Sequence, residues 1–313
     1  MFPTRVLLAV DGSLPAERAA REAARLCSMT GSELHVVHVA PPPYIWASAE
    51  AYAWPPESPE HARELEEYGL KEGRKLLDEQ VEKIKGHGVE DVHPHLESGV
   101  TDACIADLAE NLGAGLLIAG NRGYGSVRRA LMGSVSASLL QHAHCPVLVV
   151  RHPHGDEEES LSGTILAAYD GSEESTRAAE AAAELASASG AYLHLACVIN
   201  VARVVPYTGA YPHPGWTDPF RRAEEKAEQM VGDLAAQLED RYGVHAVTHI
   251  PTGAPAVELS NLAESLQTSL VCLGSRGLGG VRRALLGSVS TSVAHHAPGS
   301  VLVLRRQSAG DSQ

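Results

Sequence analysis

Residues 120–143 read GNRGYGSVRRALMGSVSASLLQHA, and residues 274–297 read GSRGLGGVRRALLGSVSTSVAHHA. Spacing shared over that length, with three glycines and an Arg-Arg pair in register, marks an internal repeat. A repeat of this size decides the organisation of the whole chain. A second matching pair opens each copy: VLLAVDGS, ending at Ser13, and ILAAYDGS, ending at Ser172. The chain is a tandem duplication. Its 313 residues give each copy enough length to bury a core of its own. The expected boundaries are a first domain over 1–151, a linker over 152–162, a second domain over 163–306 and a tail over 307–313. The linker carries HPHGDEEESLSG, whose acidic run is flanked by Pro, Gly and Ser and cannot bury apolar surface.

Within each copy strands alternate with helices. In the first, an apolar strand over Arg5–Val10 runs into Asp-Gly-Ser, and an Ala-rich stretch from about Leu14 to Met29 has helical periodicity. Ser13 is placed to cap that helix and Gly31 to end it. Strands are expected at Leu34–Val39, Asp91–Glu97, Gly115–Ala119 and Pro146–Val150, with helices from about Pro59 to Gly86, from near Thr101 and from Gly133-Ser134. That alternation predicts an α/β fold, a doubly wound five-stranded parallel sheet with helices on both faces. Aromatic residues make up only 4% of the chain, so the cores are built from small aliphatic side chains, as in a covered parallel sheet.

The net charge of −14 argues against a general nucleic-acid surface, which needs clustered Lys and Arg. No apolar run approaches the roughly 20 residues that span a bilayer. The early apolar stretch is cut short by Asp11, so it reads as a strand and not a leader. Five scattered cysteines without a CxxC fit a reduced, cytoplasmic protein. Histidines at 93 and 95, 142 and 144, and 152 and 154 invite a metal reading. His144 and Cys145 align with Pro298 and Gly299, however, so no ligand set recurs, and packing or surface histidines are the reading taken.

The chemical signal is Gly120-x2-Gly123-x9-Gly133-Ser134, repeated as Gly274-x2-Gly277-x9-Gly287-Ser288. Its first glycine follows a buried strand and its last pair opens a helix, the end of an α/β sheet where ligands bind. Glycines there let backbone approach phosphate oxygens and allow positive φ. The N–H groups of a helix start favour an anion. The alternative is a tight connection with no ligand. A Walker A loop is absent, and so is a GxGxxG after the first strand.

The combination of VLLAVDGS, the His38-Val39 strand end, the full glycine motif in both copies and the closing HCPVLVVR resembles the universal stress proteins, specifically their ATP-binding subclass. The resemblance covers nearly the whole chain outside the linker and tail. It implies two tandem Rossmann-like domains of the adenine nucleotide alpha hydrolase-like kind. It also implies that Asp11 and Asp170 lie on the adenine or ribose side of a nucleotide, with Val39 and Val198 against the adenine. Gly120, Gly123, Gly133 and Ser134 would cradle the phosphates and ribose in the first half, and Gly274, Gly277, Gly287 and Ser288 in the second. Val135 and Val289 would offer backbone N–H groups. Arg122, Arg276 and the pairs Arg128-Arg129 and Arg282-Arg283 are available to offset phosphate charge. Ala9, Ala168, Gly125 and Gly279 complete the expected binding set.

The ligand implied is ATP with Mg²⁺, and the function a cytosolic stress-response module whose state or partner choice depends on bound nucleotide. No nucleophile elbow, Cys/His pairing or base beside the loop is evident, so at most weak ATP hydrolysis is expected. An ATPase or nucleotidyl-transfer enzyme and a ligand-free interaction protein are the competing readings. The apolar last strands, Pro146–Val150 and Ser300–Leu304, are expected at sheet edges, where they would pair subunits as a dimer or the two halves.

Overall fold

The computed structural model describes residues 3–40, 58–122, 132–151, 163–204, 219–277 and 286–305. The chain divides between Arg151 and His152 into two compact units.

The first unit runs β1 (Arg5–Ala9), α1 (Leu14–Thr30), β2 (Glu33–Ala40), α2 (Pro59–Lys85), β3 (Val92–Ser98), α3 (Thr101–Asn111), β4 (Leu116–Gly120), α4 (Ser134–His142) and β5 (Val147–Val150). Its strands lie in the order β3-β2-β1-β4-β5 and pair in parallel throughout. Parallel neighbours need crossovers, and the helices supply them. The second unit runs β6 (Thr164–Ala168), α5 (Glu173–Ser189), β7 (Tyr192–Ala196), β8 (Ile199–Asn200), α6 (Val201–Val204), α7 (Pro219–Tyr242), β9 (Ala246–His249), β10 (Thr252–Gly253), α8 (Pro255–Ser265), β11 (Leu270–Gly274), α9 (Ser288–His296) and β12 (Ser300–Leu304). Its order, β9-β7-β6-β11-β12, is the same wiring, again parallel.

The first helix of each unit shows how sequence sets structure. Ser13 Oγ accepts from Ala16 N at 3.4 Å and Ser172 Oγ from Ser175 N at 3.3 Å, each satisfying a helical N–H that would otherwise lack a partner. Gly31 and Gly190 close the helices at φ 69° and 73°, a left-handed conformation that glycine adopts without a Cβ penalty. Between caps, Ala19, Ala20, Ala23 and Ala24 in α1, and Ala178, Ala179, Ala182 and Ala183 in α5, are buried against the sheet. Their small side chains let each helix lie close to the central strands, which are themselves fully buried at Leu7, Leu117, Ile165 and Leu166.

One departure separates the halves. The ladder of β2 and β3 runs unbroken to Ala40↔Ser98, but its counterpart stops at Ala196↔His249 and resumes as the short pair Ile199↔Thr252. The break falls at Pro251, which has no N–H to give a neighbouring strand, where the first half carries Glu97.

Candidate functional site

In each unit the strand order reverses between the first strand and its β4-type neighbour: β1 beside β4, β6 beside β11. Ligands of open α/β sheets bind in the crevice outside the carboxyl ends at such a switch point. The residues leaving those ends are Asp11 and Gly120 in the first half, and Asp170 and Gly274 in the second.

Each aspartate is held by its own turn. Asp11 Oδ1 accepts from Ser13 N at 3.0 Å; Asp170 Oδ1 accepts from Ser172 N at 3.1 Å and from Ser172 Oγ at 2.6 Å. This is the local side-chain-to-backbone bond that Asp makes two residues on. The same serine reaches the glycine loop: Ser13 Oγ donates to Arg122 O at 3.4 Å, and Ser172 Oγ, whose proton goes to Asp170, lies 3.5 Å from Arg276 O. Strand end, helix cap and loop are therefore brought together twice over in one chain.

The glycine loop is closed at its base by backbone. Gly133 N donates to Asn121 O at 2.7 Å, and Gly287 N to Ser275 O at 2.8 Å. Gly133 and Gly287 are the N-caps of α4 and α9, and in both helices no side chain takes a capping bond. A helix start, with the positive end of the helix dipole, favours an anion. Ser134 and Ser288, the first helical residues, are exposed, and Val135 and Val289 half-buried.

The glycines are required for a reason other than positive φ. None of Gly120, Gly133, Gly274, Gly277 and Gly287 is in the left-handed region. A Cβ on Gly120 would come within 2.6 Å of Pro15 C, and one on Gly274 within 2.9 Å of Glu174 C and Ser175 N. These two let the strand end pass the first turn of the neighbouring helix. On Gly277 a Cβ would fall inside the van der Waals surface of Asp170 Oδ2, so the loop and the aspartate meet at that glycine.

In the second half these elements enclose a cavity of about 700 Å³, within the roughly 300–1,000 Å³ typical of small-molecule and cofactor sites. Ala168, Asp170 and Val198 line it, as do Gly274, Arg276 and Gly277, and Gly287, Ser288 and Val289. Gly279 and Arg283 lie outside the described residues, as do Gly123, Gly125, Arg129 and the partners Arg128 and Arg282. In the first half the structure places Ala9, Asp11, Val39, Gly120, Arg122, Gly133, Ser134 and Val135 at the corresponding strand ends, loop base and helix start.

Sequence reasoning missed several residues here. Ser136 and Ser290, buried, donate from the first turns of α4 and α9 to Gly120 O at 2.6 Å and Gly274 O at 2.7 Å. The recurring Gly-Ser-Val-Ser held that signal. Cys197 also lines the cavity; burial and then the Asp170 carboxylate push its thiol up. Its counterpart His38 donates from Nδ1 to Val10 O at 2.9 Å. Behind the first loop, burial and then the Arg122 guanidinium bring Arg151 down to about 10.

The family model for the universal stress protein family matches residues 3–151 and again 162–305. The chain belongs to the universal stress protein family. It is 31% identical over 310 residues to a universal stress protein of Mycolicibacterium smegmatis, covering 96% of each chain. Identity to one from Mycobacterium bovis is 30%, over 96% of this chain and 97% of the relative. The crystal structure of a universal stress protein from Archaeoglobus fulgidus superposes with a TM-score of 0.67 at 22% identity, covering 97% of this chain and 98% of that one. That likeness shows the fold as a tandem of universal stress protein domains. As in the sequence reading, the sheet is parallel with α/β crossovers. Among the described residues no helix is long and apolar enough to cross a membrane.

His142 and His296 bond at Nδ1 to the carbonyls of Ser138 at 3.0 Å and Ser292 at 2.7 Å in their own helices. His144 faces Glu110 at 3.5 Å. His152 and His154 lie outside the described residues.

Proposed function

We propose that each half of this universal stress protein binds an adenine nucleotide, ATP with Mg²⁺, and that the bound nucleotide sets the protein's conformation or choice of partner in a cytoplasmic stress response. The observation that carries this reading is the second-half cavity. Every described second-half residue that the family resemblance assigns to the nucleotide lines that one space, with Asp170 at one strand end and the uncapped start of α9 at the other. The arrangement suits a molecule with an apolar ring and an anionic tail. Val198, Ile199 and Met230 supply apolar wall, and Arg276 and the α9 N–H groups supply positive potential. When bound, Mg²⁺ would draw several of its ligands from the phosphates themselves.

The last strand in each unit's order, β5 or β12, is wholly apolar over VLVV and VLVL. Pairing through these strands, between subunits as a dimer or between the two halves, is part of the proposal, since apolar edge strands are prone to pairing.

The test is the nucleotide content of the purified protein, released by denaturation and identified by mass spectrometry. ATP close to two per chain is expected. ADP alone would move the reading to hydrolysis. A protein that carries no nucleotide and does not bind added ATP would overturn it.

A further inference from the structure

The duplication puts two versions of one cleft in a single chain, and their walls differ in charge. In the second half one wall is α7, from which Ala223, Lys226, Ala227 and Met230 line the cavity. Its counterpart is α2, and the register between the two helices is fixed by their buried faces. Gly73, Leu77, Gln80 and Ile84 are spaced by four, three and four residues, as are Ala227, Val231, Leu234 and Leu238. His95 follows Ile84 by eleven residues, and His249 follows Leu238 by the same number.

The two helices also meet the same part of the sheet. A Cβ on Gly73 would touch Leu96, His38 and Ala40 at the ends of β3 and β2. Ala227 lines the cavity together with Cys197 and Ile199, the counterparts of His38 and Ala40. Lys226, the residue before Ala227, therefore answers to Glu72, the residue before Gly73. A cation lining the second-half cavity therefore stands at the α7 position that answers to the carboxylate of Glu72 on α2.

Among the described residues, the charged ones that line the second cavity are Asp170, the solvent-exposed Lys226 and Arg276, which sum to one positive charge. Their counterparts Asp11, Glu72 and Arg122 sum to one negative charge. The aspartate-to-backbone bond, the loop closure and the glycine N-cap are matched between the halves, and Ser172 alone adds a hydroxyl bond to its aspartate. The geometry points to an unequal pair of sites, in which Lys226 makes the second half the tighter site for a polyanionic nucleotide and Glu72 makes the first the weaker. This rests on the nucleotide reading above and adds the residues that divide the two sites. Since the effect is electrostatic, it scales with the ligand's phosphate charge, shrinks with added salt and vanishes for a neutral nucleoside.

Isothermal titration of the full chain with ATP, and separately with adenosine, tests it. The wild-type protein is expected to show two classes of ATP site. Lys226→Glu should weaken the tighter class about fivefold, and Lys226→Met about two- to threefold, the range that exposed charge pairs reach. Glu72→Lys should strengthen the weaker class by a similar factor. Adenosine affinity should change by less than about twofold in all of them, because a neutral ligand does not report the charge. Circular dichroism checks folding, and Lys226→Met stands in should Lys226→Glu not fold. Two equal ATP sites, or sites indifferent to both charge reversals, would overturn the inference while leaving nucleotide binding intact. A wild-type chain that binds no ATP would overturn both.

Discussion

His194 and His249 share a hydrogen bond of 2.8 Å across β7 and β9, and His35 and His95 repeat it at 2.9 Å across β2 and β3. The partner in each case sits two residues beyond the level of the first ring, at Ala196↔His249 and Val37↔His95. One ring of each pair must accept, so at least one stays neutral. Burial holds all four below the ordinary histidine value, with the neighbouring imidazoles adding to it at His35, His95 and His194. Around His35 the Glu33 carboxylate pulls the other way, while His93 and Arg5 push down.

Stability should therefore fall in mild acid. For a base whose folded pKa is depressed, the unfolded chain takes up protons first. The contribution is complete above the unfolded value of about 6.5 and is lost as pH drops from there through the lowered folded values. Urea midpoints measured between pH 7.5 and 5 should decline, and the double variant His95→Gln, His249→Gln should show a shallower decline over that window. A wild-type midpoint that is flat across it would refute the assignment.

Close approach alone is enough to require glycine at 120 and 274. Gly120→Ala would force its methyl against Pro15 and Gly274→Ala against Glu174 and Ser175, all of it backbone or near-backbone that cannot swing aside. Overpacking of this kind costs about 1–3 kcal/mol, read as a lower denaturation midpoint. Gly133→Ala, whose Cβ would meet Arg122 Cα and Asn121 O at 3.3 Å, should cost less. Equal losses at all three would contradict the packing account.

How far this could be read beforehand depended on the range over which the physics acts. Strands, first helices and caps came through because period, alanine face and Ser-to-Gly caps are local and stated twice. The place of the loop, between a buried strand and a helix start, was legible for the same reason. What the first glycine meets was not, since Pro15 is remote in sequence and becomes its neighbour only once β1 and β4 pair. Nor was the break at Pro251, because one proline does not announce which ladder it interrupts. Lys226 and Glu72 look like ordinary charges on a solvated helix until the packing register turns that part of α7 toward the cavity.

Ser172 both caps α5 and bonds Asp170, whereas Ser13 caps α1 and reaches no oxygen of Asp11 through its hydroxyl. Ser172→Ala and Ser13→Ala should each lose about 1 kcal/mol of stability, the usual worth of a cap. Only Ser172→Ala also releases a side-chain bond to the aspartate. ATP affinity at the second site should accordingly fall with Ser172→Ala, and the first site should be less affected by Ser13→Ala. Calorimetric titration of the two variants separates the effects. Equal loss at both sites would show that the cap alone matters.

Cys197 offers a way to watch the cavity without altering it. All five cysteines are free, and the surroundings of four of them rank their reactivity. Burial pushes Cys27 up to about 12 and raises the fully enclosed Cys272 as well, so neither forms thiolate near neutrality. Since the thiolate is the attacking species, both should stay unlabelled in the native protein. Cys104 is only half-buried and should react first, although burial and the nearby Glu97 and Asp107 slow it. Cys197 is buried but lines the cavity, and its thiolate is disfavoured by burial and by Asp170. It should label slowly at pH 8 with an alkylating reagent followed by peptide mass mapping. Saturating ATP should slow it several-fold further while leaving Cys104 unchanged, because a ligand between Val198 and the glycine loop blocks entry. Protection of both thiols would indicate global tightening, and protection of neither would place the nucleotide elsewhere.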